Sequence, residues 1–600
     1  MTAQDDTHST PLHLVSSKGS PELARLLIQH GANVHALDGN QSTPLHLALL
    51  SSSLDVMRLL ILHGADVNAL DGCRKTPLHL ASSVVKIQAM QLLIEHGADV
   101  HEQDVNHSTL LHLASLSWSH KVVERLIEHG ADVNALDGSR NTPLHLASSL
   151  GKTSTMQLLI KNGANVNAQD GNHSTPLHLA SSSNSTETIQ LLILCGANVH
   201  AHDGNQATPL HLATLSSSPE VMSLLIRHGA DVNALDGKRN TPLHLASGSS
   251  QGETSPLQIL LKHDVDVHAH DSNHSTPLHL ASSCGKTKIM QLLIKHGAGV
   301  HAQDGNHKTP LHLASSGGKT KAMRLLIKYG ADVNAQERGH LTPLHLAASS
   351  GYAEAMQLLI ENGADVSAKD GSHSTLLHLA LLSSSHESVE LLIKHGVDVN
   401  GLDENRKTPL HLASSLGKIK TVQLLIENGA IVNAQDMTHS NPLHLASLSW
   451  SPEVAQLLVS HGADVDAQDE NGKTPLHLAS SRGKTKNMQL LIESGADVNA
   501  QDGSHSTPLH LASFSRSPAN VQLLIRLCAD VNAQDGNHST PLHLALSSWS
   551  PETVRLLIEH GADVNARDAS GKTPLHLASC QVSTEVLSTT LGQARADTNA

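Results

Sequence analysis

One interval governs what this chain can fold into. The element Thr-Pro-Leu-His-Leu, or a close variant, begins at residues 10, 43, 76, 109, 142, 175, 208, 241, 276, 309, 342, 375, 408, 441, 474, 507, 540 and 573, so 18 copies fill 600 residues. Every step is 33 residues except one of 35, from Thr241 to Thr276. A unit of that size cannot bury its own apolar face. It must stack on its neighbours, and a fixed period of roughly 20–50 residues therefore marks a repeat array whose core runs from copy to copy. No Pro/Gly tract or charge block interrupts the period, so residues 1–600 read as a single array of about 18 repeats. Aromatic residues are 1% of the chain, which leaves the core to Leu, Ile, Val, Ala and Met.

The copy beginning at Thr142 shows what each unit encodes. Thr142 is an N-cap residue and Pro143 suits the first helical position, where the missing N–H would be unpaired anyway. Leu144, Leu146 and Ala147 give a short apolar face, and Gly151 ends it. A second helix carries Met156, Leu158, Leu159 and Ile160 and stops at Gly163, a left-handed cap. The segment ANVNAQD then runs extended into a tight turn. The unit is helix, turn, helix and projecting finger.

The residues Thr175, Pro176, Leu177, His178 and Ala180, followed by Gly196, Ala197, Val199 and Asp203, resemble the ankyrin repeat. The likeness covers essentially the whole chain. It implies an all-α solenoid, a curved stack of helix-turn-helix repeats with β-hairpin fingers. It also implies a non-catalytic scaffold or adaptor that binds a protein partner through the fingers and first helices, on the concave side. In such repeats the His of Thr-Pro-Leu-His is structural. That assigns a framework role to His145 and His178, beside Thr142, Pro143, Gly163, Thr175, Pro176 and Gly196. One ring nitrogen can donate while the other accepts, which lets the ring tie a turn to a helix start.

Three regions depart from the period. Residues 1–9 read as the last part of a finger, so the array is expected to start almost at the first residue. Residues 573–600 read as a degenerate capping repeat, in which RADTNA stands for the usual GADVNA and leaves no room for a separate catalytic domain. The copy 241–275 holds the only insertion, within ASGSSQGETS. It has Asp264 where Gly usually ends the second helix, and Pro256 near that helix's start. It reads as an irregular repeat and a hinge.

The second histidine of NAQDGNHSTPLHLA, His173, lies in the finger two residues before the Thr, where ankyrin-like repeats usually carry Gly. Gly472 and Gly571 keep it. Elsewhere the position holds His8, His107, His173, His274, His307, His340, His373, His439, His505 and His538, or Arg74, Arg140, Arg239 and Arg406, or Gln41 and Gln206. Exposed loop residues on a rigid scaffold are the usual contact points. His173, Arg239, His274, His307, His340, His373, Arg406 and His439 are accordingly the candidate partner-binding residues. The competing reading is a harmless surface residue copied by duplication. A metal site is not expected. Equivalent positions should step by roughly the 8–10 Å of packed helices, whereas zinc ligands lie about 2 Å from the ion. The densest group, His268, His270 and His274, has no Cys beside it.

Other features are weaker. Gly151-Lys152-Thr153 follows a short helix and lacks the upstream Gly of a phosphate loop, so it reads as a solvated inter-helix turn. One kind of copy reads like SSCGKTKIMQLLI and the other like SWSPEVAQLL, and they alternate from 375 to 539. In the second kind Ser451 is positioned to cap the second helix. Trp118, Trp450 and Trp549 share the position that Gly151, Gly285, Gly318 and Gly483 hold elsewhere, and each Trp is expected to fold back over its own repeat.

Function classes narrow by elimination. No nucleophile-base pair stands apart from the repeat, so no enzyme, cofactor or small-molecule substrate is indicated. Lys and Arg number 40 against 55 Asp and Glu, a net charge of −15, which is the wrong balance for nucleic acid and favours basic protein partners. No apolar run is long enough to span a membrane. Cys73, Cys195, Cys284, Cys528 and Cys580 form no disulfide framework, and the start lacks a signal peptide, so a cytoplasmic location is expected, with nuclear placement and non-classical export left open. Beside the scaffold stand two alternatives: a structural spacer or tether, and the recognition subunit of an assembly whose catalytic part is on another chain.

Overall fold

The computed structural model describes residues 4–579 except 52, 84, 85, 117, 118, 250–252 and 384. Trp118, the middle of the insertion at 250–252, Cys580 and the remainder of the terminal repeat to 600 lie outside the described residues. The described residues form 35 helices, a short first helix and a longer second helix per copy, ending with the lone first helix Pro574–Ser579. The chain divides into two compact units, one of Met1–Ala281 with Lys286–Gly299 and one of Ser282–Gly285 with Val300–Ala600.

Both units are built alike. Within each, a first helix packs on its own second helix and on the first helix of the next copy, while second helices pack on second helices. In the copy of Thr142 the first helix is Pro143–Ser149, with Thr142 as extended N-cap and Pro143 at its start. Leu144 and Ala147 are fully buried and Leu146 is half-buried. The second helix is Thr153–Lys161, with Met156 and Leu159 fully buried and Leu158 and Ile160 half-buried. Gly163 follows in the left-handed region at φ 89°, as Gly196 does in the next copy at 88°.

The irregular copy keeps its first helix, Pro242–Gly248, but its second, Ser255–Leu260, has six residues where neighbours have nine. Asp264 does not adopt the left-handed conformation that Gly takes at this position elsewhere.

The fingers differ from the expected β-hairpins. Among the described residues no strand forms; only the isolated bridges Gln103–Thr109 and Lys369–Thr375 occur. In the finger of Asp170, the Asp170 N–H donates to Ser174 O at 3.0 Å and the His173 N–H to Asp170 O at 3.1 Å. The Asp170 carboxylate accepts the N–H groups of Asn172 and Ser174, each at 2.8 Å. The carboxylate thus takes donors that a longer ladder would use. The next helix begins immediately after Thr175, so the chain turns before a second rung can form.

Three ties join consecutive copies. The Gly204 N–H donates to Asn172 O of the preceding finger at 2.7 Å. Asn167 reaches forward twice, its amide donating to Gly196 O at 3.0 Å and its carbonyl accepting from Asn198 N at 2.8 Å.

Candidate interaction surface

The repeated histidine sits at the helix start and reaches to the finger at the end of its copy. His178 is fully buried. Its Nδ1 accepts the Thr175 backbone N–H at 3.1 Å, which places the ring proton on Nε2. Nε2 donates to Ala207 O, in the finger that ends the same copy, at 3.1 Å. His145 does the same with Thr142 N at 3.1 Å and Ser174 O at 3.0 Å. The ring therefore takes the place that Glu or Gln fills in an ordinary capping box, and also holds the finger that ends its copy. Burial pushes the imidazoles of His145, His178 and His211 below their ordinary value of 6.5; the accepting carbonyls and nearby aspartates oppose it only in part.

The second row of histidines has the opposite environment. His173, Arg239, His274, His307, His340, His373, Arg406 and His439 are all exposed. Each occupies the left-handed region, at φ 59°, 60°, 58°, 63°, 57°, 56°, 57° and 57° in that order. All sixteen non-glycine occupants of this finger position have φ between 52° and 63°, beside Gly472 at 70° and Gly571 at 77°. The turn has kept the geometry suited to glycine while the residue changed. An L-residue there costs about 1–2 kcal/mol against a right-handed alternative. His tolerates the region better than most residues; Arg and Gln have no such preference.

The side chains lean along the row. A Cβ placed on Gly204 would lie 3.8 Å from the His173 ring, and one on Gly371 would lie 3.6 Å from the His340 ring. The Asp-Gly pair of one finger therefore leaves room beside the histidine of the finger before it. His340 Nδ1 lies 3.1 Å from Gln336 Oε1, and His505 Nδ1 3.2 Å from Gln501 Oε1. Arg74 and His107, adjacent members of the row, line one cleft of about 470 Å³ with His101, Asp99 and Glu102. The rings of His270 and His274 stand 6.0 Å apart. Among the described residues no group of three His, Cys, Asp or Glu side chains is arranged to hold a metal ion.

Three structural roles go beyond the sequence reading. The Asn of the VNA segment bridges copies, as Asn134, Asn400 and Asn532 also show; its recurrence at a fixed offset was the available signal. The lysines of the GKT-type turns are not all solvated. Lys152 is 6% exposed and Lys484 8%, against the expectation of a solvent-facing turn. Lys86 donates to Leu49 O, and Lys418 to Leu381 O and Ser383 O, closing the C-terminal end of the first helix in the copy before. Ser451 precedes the helix Pro452–Ser460, but its hydroxyl donates to the Glu453 carboxylate at 3.0 Å instead of accepting from the helix.

Of the two described Trp residues, Trp450 does not fold over its own repeat. Trp549 takes φ 60° and is 52% exposed. Trp450 avoids the left-handed region, is 87% exposed, and lies under the ammonium of Lys484 from the next copy. Cys73, Cys195 and Cys528 are free thiols, and they and Cys284 are exposed. No helix among the described residues is long and apolar enough to cross a membrane.

A comparison with curated proteins finds no match. Comparison with family models gives matches described as ankyrin repeats (3 copies) over residues 1–71, 64–137, 134–203, 177–271, 210–304, 250–337, 297–370, 344–436, 434–502 and 509–600. A further match, described as ankyrin repeats (many copies), covers residues 481–527. Such repeats are generally protein-interaction modules without catalysis of their own. With capped helix pairs, interlocked fingers and these matches from end to end, the chain belongs to the ankyrin repeat family.

Proposed function

We propose that the chain is a protein-binding scaffold or adaptor that takes its partner along the fingers and the adjoining first helices. One observation carries the reading. At sixteen of eighteen copies an exposed His, Arg or Gln stands in a left-handed turn that Gly472 and Gly571 fill without strain. Local strain retained on a solvent-facing side chain marks a surface selected for contact more than for stability. A pure spacer would gain from glycine throughout.

Cross-linking the protein in its own extract, followed by mass identification, tests this. Cross-links from a partner should cluster on the fingers of several consecutive copies. Replacing His274, His307, His340 and His373 with Ser should weaken that partner's binding while helicity is unchanged, since exposed changes cost little stability. Unchanged affinity in the fourfold variant, or cross-links confined to the second helices, refutes the reading.

A further inference from the structure

One position in each finger departs from the acidic balance of the chain that carries it. The chain bears a net charge of −15, yet none of the 18 row positions is acidic and 14 hold His or Arg. Three of the row's four arginines fall in the first unit, where consecutive fingers present Arg74, His107, Arg140, His173, Gln206 and Arg239, all exposed and all left-handed. Among the described residues none of these three guanidiniums enters an ion pair; the pairs formed are Arg125–Glu128, Lys308–Glu337 and Arg324–Glu354. In the fingers of Arg140 and Arg239 the turn aspartate is already engaged. Both oxygens of Asp137 accept from the Asn141 amide, at 3.3 and 3.2 Å, and those of Asp236 from the Asn240 amide, at 3.3 and 3.1 Å.

The spacing is fixed by backbone bonds. Gly138 N donates to Asn106 O at 2.9 Å, Gly171 N to Ser139 O at 2.8 Å, and Gly204 N and Gly237 N to Asn172 O and Asn205 O, each at 2.7 Å. A row of donors held in register suits a ligand with a regular backbone, and unpaired guanidiniums suit carboxylates, which they bind with paired N–H donors. We propose that the fingers of the first unit dock an extended acidic polypeptide segment, with Arg74, Arg140 and Arg239 taking its carboxylates and the intervening His107, His173 and Gln206 donating between them.

The geometry also sets the segment's pattern. Fingers on packed repeats step by roughly 8–10 Å. Arg74 and Arg140 are two fingers apart, roughly 16–20 Å, which an extended chain at about 3.3 Å per residue spans in five or six residues. Arg140 and Arg239 are three fingers apart, about seven to nine residues. The cleft below Arg74 and His107 also holds Asp99 and Glu102, so carboxylates are expected on the Arg140–Arg239 side first.

The inference rests on the fingers being the contact surface, and the test separates the two. A fluorescent 20-residue polyglutamate is titrated with the full chain at low salt, beside polyglutamine, polylysine and an oligothymidylate of equal length. Polyglutamate should bind measurably tighter than polyglutamine and the oligothymidylate. Its affinity should fall several-fold between 50 and 200 mM salt, as expected of exposed charges. It should fall about tenfold in the variant R74Q/R140Q/R239Q, three exposed pairs being lost. A second variant, R25Q/R58Q/R125Q, removes three arginines outside the row and should bind as the parent does. Equal binding of polyglutamate and polyglutamine, tighter binding of the oligothymidylate, or equal loss in both triple variants overturns the proposal. If finger cross-links to a partner are nevertheless found, only the acidic class has failed; if they are absent, the contact surface itself has.

Discussion

Replacing His178 with Leu should lower the stability of its copy and flatten that copy's dependence on pH. At pH 7.5 the change removes an acceptor from Thr175 N and a donor from Ala207 O, both inside the stack. Leaving buried polar groups unpaired costs about 1–3 kcal/mol each, partly relieved by the apolar replacement, so a loss of about 2–4 kcal/mol is expected. The pH term has a definite sign. Burial holds the folded His178 below 6.5, while the carbonyl of Ala207 and the carboxylates of Asp203 and Asp170 raise it only part of the way back. The unfolded chain then binds the proton first. Stability from this ring is complete above pH 6.5 and is lost as pH falls from there through the lower folded value. Within that window each excluded proton contributes a slope of up to about 1.4 kcal/mol per pH unit.

Hydrogen exchange resolved by repeat, corrected for the intrinsic rate, reads the opening free energy of residues 175–207 from pH 7.5 to 5. The parent curve should fall below pH 6.5. The variant should start lower and run flatter by up to one proton's slope. This window lies above the ordinary carboxylate range of about 3.9–4.3, so aspartates do not account for it. Parallel curves would refute the argument, because they would mean that the protonated ring is accommodated where Thr175 N–H now donates. The same direction of shift holds for fifteen of these histidines, from His46 to His543. A steep, cooperative loss of helicity below pH 6.5 should follow for the whole chain, visible by circular dichroism.

Other perturbations give separate readings. His340→Gly relieves about 1–2 kcal/mol of left-handed strain and gives back about 0.4–1 in unfolded-state entropy, so a net gain near 0.5–1 kcal/mol is expected by denaturant unfolding, and a loss would contradict the strain argument. Copy 241–275, with its six-residue second helix and its Asp264, should exchange its amides before the copies on either side; equal protection would sink the idea. Lys418→Met keeps the stem but leaves the carbonyls of Leu381 and Ser383 uncapped, for a cost of about 1–3 kcal/mol in chemical denaturation; a variant as stable as the parent would show the cap to be idle.

What the sequence made legible follows from what each residue's neighbours are. Period, helix starts and core positions depend on contacts repeated in every copy, so Thr142, Pro143, Leu144 and Gly163 could be placed by analogy from one copy to the next. Roles that join residues far apart in the chain were harder to read. The ring of His178 was expected to tie a turn to its own helix start; its Nε2 bond also reaches Ala207, in the finger at the far end of the copy. Lys418 stands in the same place as Lys152 of the turn read as solvated, and the carbonyls it closes belong to residues more than thirty positions earlier. The alternation of copy types acquires a physical meaning here. The copy of Thr375 has no Gly after the first helix, and Lys418 of the following copy supplies donors to its last carbonyls; in the copy of Asn441 the Asn487 amide of the following copy does so. The unit of selection is then the interface between two copies, and not the 33-residue copy alone. The finger row is the exception that supports this. Its residues vary among His, Arg and Gln because no neighbouring copy needs their side chains, while the left-handed turn beneath them is fixed by bonds to the fingers on each side.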